Sequence, residues 1–587
     1  MQIIRQAYHR LLIDVSNRSG VSLDAPEHID MDWILNEAPD LDKRLLVFLR
    51  DGGNCPCFPT WLMPLVERFL SQRQGSILKD IRQLLVFGYK AEHEPRDEQL
   101  KTAQAAFVDT DEVCGVFDSS LTADHLRPLL HLATALIGRV IYRINYAEIR
   151  PSHGPGAVFP SCDPSEKSNF QTIYPTIDEL YPYFDFFGAT SSRISEALER
   201  DKDLIIGDNI IAKLVAVPKD SRGPRLICVH PKEAVWIQQG LRKELERAIT
   251  QSPLTRGYIN FDDQMVNGML ALTSSADGRY ATIDLKEASD RISLGLFRTL
   301  FGGAAKWFEC CRATHIRLLD GSLHMLQKFA PMGNATVFPT ESLIFWAVAR
   351  AGIRCYTGRT RDDIYVFGDD LIVPSEYYGY VIKALVRVGL VPNLNKCFYR
   401  GLFRESCGVD AFNGVNVTPH RIKKWRMSSL SDLVSICALA KNMSIDGYLE
   451  TSAYMYSCVR QCIGHLPLCN DPYASGIYEY VERDIGFIMR NEPTLRWNNS
   501  LHRYEVRLTR AVSVKERTRK HDWYHVLDSL LRRKPKGDLP NPREVGYAFP
   551  RRSRPSRGWT QVRYSPMKAS LVRGAEEFEP SIESYSE

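Results

Sequence analysis

The sequence predicts an α+β fold built on an antiparallel sheet, and three stretches carry that reading. Residues 280–285 (Tyr-Ala-Thr-Ile-Asp-Leu) form a short β-favouring run. Residues 364–373 set two apolar runs on either side of Gly368-Asp369-Asp370, the pattern of a hairpin with glycine at its bend. Residues 341–351 and 376–389 read as helices, so the order is strand, helix, hairpin, helix. That order belongs to an α+β core rather than to a repeating parallel unit.

The flanking elements follow the same logic. Residues 120–148 predict a helix capped by Ser120 or Thr122, with apolar residues recurring at helical spacing. The Pro-Ser-His-Gly-Pro-Gly-Ala stretch at 151–157 breaks that pattern as a loop, and residues 231–249 predict a second amphipathic helix. After residue 428 the chain reads as mainly helical up to the Pro- and Arg-rich stretch from about Pro535. No internal repeat and no long low-complexity tract interrupts it.

With 587 residues, 44% hydrophobic and 25% charged, the chain has ordinary globular proportions, which excludes wholesale disorder. No apolar run reaches the ~18 residues of a membrane helix, and the first twenty residues lack a signal-like apolar core. The expectation is a soluble, intracellular protein without membrane contact. The overall charge of +5 hides an asymmetry. Residues 503–573 hold 19 Lys/Arg against 6 Asp/Glu, interleaved with Trp523, Tyr524, Tyr547, Phe549, Trp559 and Tyr564, whereas residues 574–587 hold five Glu and no cation. Such a basic, aromatic stretch suits phosphate neutralisation and base stacking, although charge alone fits a solvated tail better.

Fourteen cysteines are too dilute for a disulfide scaffold in a chain this long. Cys55-Pro56-Cys57 is too tight for zinc. Cys458, Cys462, His465 and Cys469 come closer to a ligand set, but they lack two C-x₂₋₄-C pairs and read better as buried thiols on a helix.

The chemistry concentrates on carboxylates. Asp369 and Asp370 stand at the hairpin tip, where adjacent charges are costly unless cations neutralise them. Upstream, Asp284 ends the predicted strand and Asp290 follows six residues later at the start of a helical pattern. A strand-end carboxylate facing a hairpin-tip pair is what two-metal phosphoryl transfer needs, and Mg²⁺ accepts a few carboxylates completed by water and substrate phosphates.

These motifs occur in an order that resembles the palm of template-dependent polymerases. Within that group the chain is similar to the replicase catalytic subunits of small positive-strand RNA bacteriophages, the Q-beta type. The resemblance rests on Asp284…Asp290, on Met332-Gly333-Asn334 followed by Glu341-Ser342-Leu343, on Phe367-Gly368-Asp369-Asp370, and on Leu394-Asn395-Lys396. Phe403-Arg404-Glu405-Ser406-Cys407-Gly408, Gly414-Val415-Asn416-Val417-Thr418-Pro419 and the basic Val217–Arg225 stretch extend it, so that it covers about residues 210–425.

The resemblance implies a right-hand polymerase. Its fingers and N-terminal region would span 1–265, with a basic nucleotide motif at about 213–229. The palm would span 266–425, a mainly helical thumb 426–534, and a basic then acidic C-terminal region 535–587. Implied metal ligands for two Mg²⁺ ions, with Mn²⁺ as a substitute, are Asp284, Asp369, Asp370 and the Leu285 carbonyl. Lys219, Arg222 and Arg225 would meet the triphosphate. Asp290 would recognise the ribose 2′-hydroxyl, with small neighbours Ala288 and Ser289 leaving room for it. Gly333 and Asn334 would contact template and nucleotide, and Lys396 would protonate departing pyrophosphate, with a plain solvated lysine as its rival reading. His153 reads as structure. Glu341 stands where the wider polymerase pattern expects Asn. The implied activity is RNA-dependent RNA synthesis from NTPs on a viral RNA template. Implied partners are host elongation factors Tu and Ts and a ribosomal protein, in the cytoplasm of an infected bacterium. A reverse transcriptase, which usually carries a bulky aromatic sugar gate, and a non-catalytic RNA-binding scaffold, which would not need intact Asp284, Asp369 and Asp370, are the alternatives.

Overall fold

A computed structural model describes residues 2–24, 29–163, 166–187, 204–474, 476–491, 495–514 and 552–561. Helix accounts for 49% and strand for 15%, in agreement with the α+β expectation. Apolar side chains gather in two cores. The larger draws on residues between Phe107 and Cys397, the smaller on Ile4–Ala91 together with Phe398–Ile477. The first ninety residues therefore pack with a late part of the chain rather than with the part that follows them.

Polar contacts specify that long-range pairing. Arg82 is buried, donating to Asp42 at 2.9 Å and to Asp410 at 2.8 Å. Asp14, on the helix Gln2–Ser19, accepts from the Glu450 and Thr451 amides at 2.8 Å each, and so caps the start of the helix Leu449–Ile463.

The centre of the larger core is the helix Val337–Thr357, which is buried on nearly every face. An all-round apolar helix of this kind can only be stable inside a domain. It is longer than the 341–351 expectation, and it ends at Gly358, whose φ of 70° supplies a left-handed C-cap. In front of it lies a three-stranded antiparallel sheet in the order Tyr280–Ile283, Asp370–Pro374, Tyr365–Phe367. A second sheet of four strands holds the hairpin Ile211–Asp220/Gly223–Val229 beside His315–Arg317 and Leu323–Met325. The helix Lys232–Gln251 follows that hairpin as expected.

Two expectations are corrected. The helix expected over 120–148 spans only Arg127–Ile141, so neither Ser120 nor Thr122 caps it. Pro128 sits in its first turn, where a missing N–H costs nothing, and residues 120–126 form turns instead. Among the described residues the chain beyond Ile463 is not mainly helical. Apart from Ile485–Asn491, it forms strands Leu495–Asn498, Arg503–Val514 and Arg552–Gln561 in one antiparallel sheet. Val506 and Leu508 are buried on either side of exposed Arg507, while Glu505 is buried through ion pairs with Arg496 and Arg503, so strand pairing rather than a helical period sets this stretch. Part of the basic region is thus a strand, while residues 515–551 and 562–587, the acidic end included, lie outside the described residues.

Replacing Arg82 with Met would leave Asp42 buried without its cation and Asp410 with only the longer contact to Arg421. The expected loss is about 3–5 kcal/mol of stability, read as a lower urea midpoint for the unfolding of the smaller core.

Candidate active site

Strand register brings the carboxylates together. Ile283 lies opposite Leu371, so one step further along the same pairing Asp284 faces Asp370. Asp370 in turn lies opposite Phe367, which leaves Gly368-Asp369 as a two-residue turn. Gly368 adopts φ 61°, and a Cβ there would stand 2.5 Å from the Phe338 ring. Only glycine fits, and its amide donates to the Ser342 hydroxyl at 3.2 Å on the long buried helix. Asp369 is exposed at the tip.

The strand carrying Asp284 stops there because the chain changes partners. Leu285–Lys286 pairs with Val391–Pro392 in a separate two-stranded sheet. The Asp284 carbonyl accepts from the Asn393 amide at 2.8 Å, and its carboxylate accepts from the Asn393 side chain at 2.7 Å. Leu285 lies across from Pro392, which has no N–H to give to the Leu285 carbonyl. Lys396 follows two residues later in the chain than Leu394, and its ammonium stands 3.8 Å from Asp284 and 3.5 Å from Glu405. Glu405 above all, then Asp284, hold Lys396 in its charged form well above the ordinary lysine range. The hairpin Phe403–Ser406/Val409–Phe412 closes the site from the other side, its turn residue Cys407 donating to Asp370 at 3.1 Å.

Crowded carboxylates make this end of the sheet short of positive charge. Desolvation, then the Asp284 charge, push Asp369 above its ordinary value, and Lys396 and Arg225 draw it back. Asp370 is pushed up to about 7 by burial first and then by Asp369, Glu405 and Asp284. Arg225, on the basic hairpin, is one of the cations whose charge reaches Asp369. Lys219 is lowered by desolvation first and then by Arg225, with Asp220 drawing it back up. Arg222 is placed differently. It forks onto Asp220 at 2.9 and 2.6 Å and lies over the Tyr89 ring, so its guanidinium is committed within its own loop.

The Met332-Gly333-Asn334 loop is pinned to that hairpin. Cys228 donates to the Met332 carbonyl at 2.8 Å, and a Cβ on Gly333 would lie 2.1 Å from the Cys228 oxygen. Asn334 is buried, and its side-chain oxygen accepts from the Thr336 amide and hydroxyl at 2.8 Å each, which leaves its amide nitrogen as the group for other work. Glu341 is buried on the long helix, where burial and then Asp369 and Asp290 raise its carboxyl well above the ordinary range. Asp290 accepts from the buried Lys328 ammonium at 3.0 Å. Neither Lys328 nor its second neighbour Asp111 carried a sequence signal.

Elsewhere, His153 packs against Phe170 and Trp236 and is lowered to about 4 by burial, in keeping with its structural reading. Cys458 and Cys469 are buried and Cys462 is exposed. Among the described residues no three His, Cys, Asp or Glu side chains form a ready-made metal cage, at that cluster or at the aspartates. The all-oxygen set of Asp284, Asp369 and Asp370, in which the Asp284 charge raises Asp369 and both raise Asp370, fits Mg²⁺, which leaves coordination positions to water and phosphate.

Residues 182–458 match the family described as RNA replicase, beta-chain. The chain is similar to that family over just under half of its length. It is 36% identical over 221 residues to the RNA-directed RNA polymerase beta chain of Escherichia phage MS2, covering 38% of each chain. It is 37% identical over 220 residues to that of Enterobacteria phage fr, again 38% of each. It is 35% identical over 246 residues to the RNA-directed RNA polymerase subunit beta of Qbeta virus (strain MX1), covering 41% of this chain and 40% of that one. The chain thus spans about two fifths of the length of the curated relatives it matches. The two strands bearing Asp284, Asp369 and Asp370, the Gly333 loop and Lys396 all lie inside the matched replicase segment. The helices up to Asp118 and the sheet beyond Leu495 lie outside it.

Because Asp370 holds its proton up to about 7, the native state binds that proton more tightly than the unfolded chain. Its stabilising contribution is complete in acid and is lost as pH rises through that value. In metal-free buffer, wild type should lose on the order of 2–3 kcal/mol more stability than Asp370→Asn between pH 5 and 8, measured by denaturant unfolding.

Proposed function

We propose that the protein is an RNA-dependent RNA polymerase replicating a positive-strand phage RNA, with the fingers, palm and thumb of a right hand. The observation that carries this reading is the convergence of Asp284, Asp369 and Asp370 at one end of the antiparallel sheet inside the replicase-family segment. Asp284 and Asp369, with Asp370 behind them, would hold Mg²⁺. Two such ions would activate the attacking 3′-hydroxyl and stabilise the leaving oxygen. Asp370 is the weaker ligand of the three, since it already accepts from Cys407.

The remaining chemistry falls to the chain's own side chains. Arg225, whose charge reaches Asp369, and Lys219 beside it on the same hairpin would serve as fixed cations, suited to the charge that gathers on a triphosphate as its α–β bond breaks. Arg222 would act by holding the shape of that loop through Asp220. Lys396 first neutralises Glu405 and Asp284, and can donate a proton to pyrophosphate once the carboxylates are otherwise compensated. Gly333 keeps the hairpin and the template-side loop in contact, and base pairing supplies sequence choice.

The sheet of residues 495–514 and 552–561 and the helices up to Asp118, outside the matched segment, are the natural surfaces for host proteins. Elongation factors Tu and Ts and a ribosomal protein are proposed as partners on the family resemblance, within the cytoplasm of the infected cell. No helix among the described residues is long and apolar enough to cross a membrane.

The deciding experiment is incorporation of labelled NTPs on an RNA template with Mg²⁺, with and without bacterial lysate. Wild type should make template-length RNA and Asp369→Asn should lose at least about 10³-fold in rate, as expected when a group essential to metal-assisted transfer is neutralised. Synthesis from dNTPs instead would establish reverse transcription. RNA binding without synthesis in any arm would establish a scaffold.

A further inference from the structure

Lys328 is fully buried, and an unpaired buried ammonium is costly, so its surroundings show what it is for. Its ammonium lies 3.0 Å from Asp290 Oδ1, 3.9 Å from Asp111 Oδ1, and 3.7 Å from the centre of the Phe107 ring. Asp111 is itself fully buried and is not free to move. It accepts from the Lys328 amide at 2.9 Å, the Gln327 amide at 2.9 Å and His324 Nε2 at 2.8 Å. It sits on the helix Asp97–Asp118, which also reaches Asp290 through the Cys114 thiol, a donor to the Asp290 carbonyl at 3.3 Å.

The result is a rigid post behind Asp290. One carboxylate oxygen is taken by Lys328. Among the described residues no donor reaches the other, Oδ2, and the side chain retains some exposure. Burial leaves the Asp290 carboxyl raised overall, and the cation offsets part of that rise, towards the ionised state in which both oxygens accept. A protonated Asp290 would hold a hydrogen on one oxygen and lose that property.

We propose that Lys328, anchored by Asp111, is a positioning residue for sugar selection. It aims the free Asp290 oxygen at the ribose 2′-hydroxyl and keeps it an acceptor. This rests on the polymerase reading above. A site built to accept a substrate hydroxyl discriminates strongly against the analogue lacking it, because the buried acceptor is then left without a donor. A nucleotide without the 2′-hydroxyl should gain nothing from Lys328.

The test is single-nucleotide addition to an RNA primer, comparing kcat/KM for ATP and 2′-dATP in wild type, Lys328→Met, Asp290→Asn and the double variant. Lys328→Met should lower the ATP/2′-dATP ratio at least about 10-fold, through loss on ATP, while 2′-dATP addition changes little. In the Asp290→Asn background the same substitution should change the ratio less than about twofold, since the two residues act as one unit. A purely structural lysine would lower both substrates together in both backgrounds, and that result would overturn the proposal, as would an unchanged ratio in Lys328→Met. If the Met variant does not fold, Lys328→Gln, which keeps a donor without the charge, should still lower the ratio at least about threefold. No addition of either nucleotide by wild type would instead count against the polymerase reading itself.

Discussion

Everything at the candidate site depends on one register. Pairing Tyr280–Ile283 with Asp370–Pro374 sets Asp284 beside Asp370, and the two-residue turn then puts Asp369 next to both. Three carboxylates meet at one sheet end, and burial first, then their neighbours' charges, raise Asp369 and Asp370. A slip of one residue would turn alternate side chains to the other face and disperse the cluster. The surroundings resist that slip. Phe338 leaves room only for glycine at 368, the Ser342 hydroxyl holds the turn, and the Cys407 amide fixes Asp370.

Three cations stand around the site, each reaching it from a separate direction. Lys396 comes from the stretch after the strand partner of Leu285, Arg225 from the basic hairpin, and Lys328 from beneath Asp290. Each is held by a different device. Lys396 is held by Glu405, Arg225 by strand pairing opposite Val217, and Lys328 by burial against Phe107 and Asp111. The two cores meet at this point too, because the hairpin that supplies Glu405 and Cys407 has Asp410 on its second strand, tied to Arg82 of the N-terminal helices. The site is thus assembled where the replicase-family segment rests on a part of the chain outside that segment.

Much of this was legible in residue order. Short β-favouring runs around Gly368-Asp369-Asp370 can form little but a hairpin, and Asp284 at the end of a strand run has few other places to point. The basic stretch ending at Arg225 and the Gly333 loop were likewise visible as local patterns. Less legible were the elements whose limits depend on distant partners. The helix at Arg127 starts late because Pro128 suits its first turn, and the strand Arg503–Val514 is fixed by pairing with a segment some fifty residues away. Arg222 reads from sequence as one of three cations for the triphosphate, yet Asp220, two residues before it, takes both ends of its guanidinium.

By itself the sequence determined the inventory: an α+β chain, its carboxylates and cations, and glycines at the positions where a turn or close approach demands them. Those follow from local sterics and from the cost of adjacent like charges, which act over a few residues. Only the tertiary structure decided which of them meet. Lys328 and Asp111, far apart in the chain and unremarked in it, converge on Asp290 because burial makes an isolated charge too costly to leave alone. The joining of residues 4–91 to 398–477 was equally invisible, since a core is defined by apolar surfaces that match in space and not by nearness along the chain.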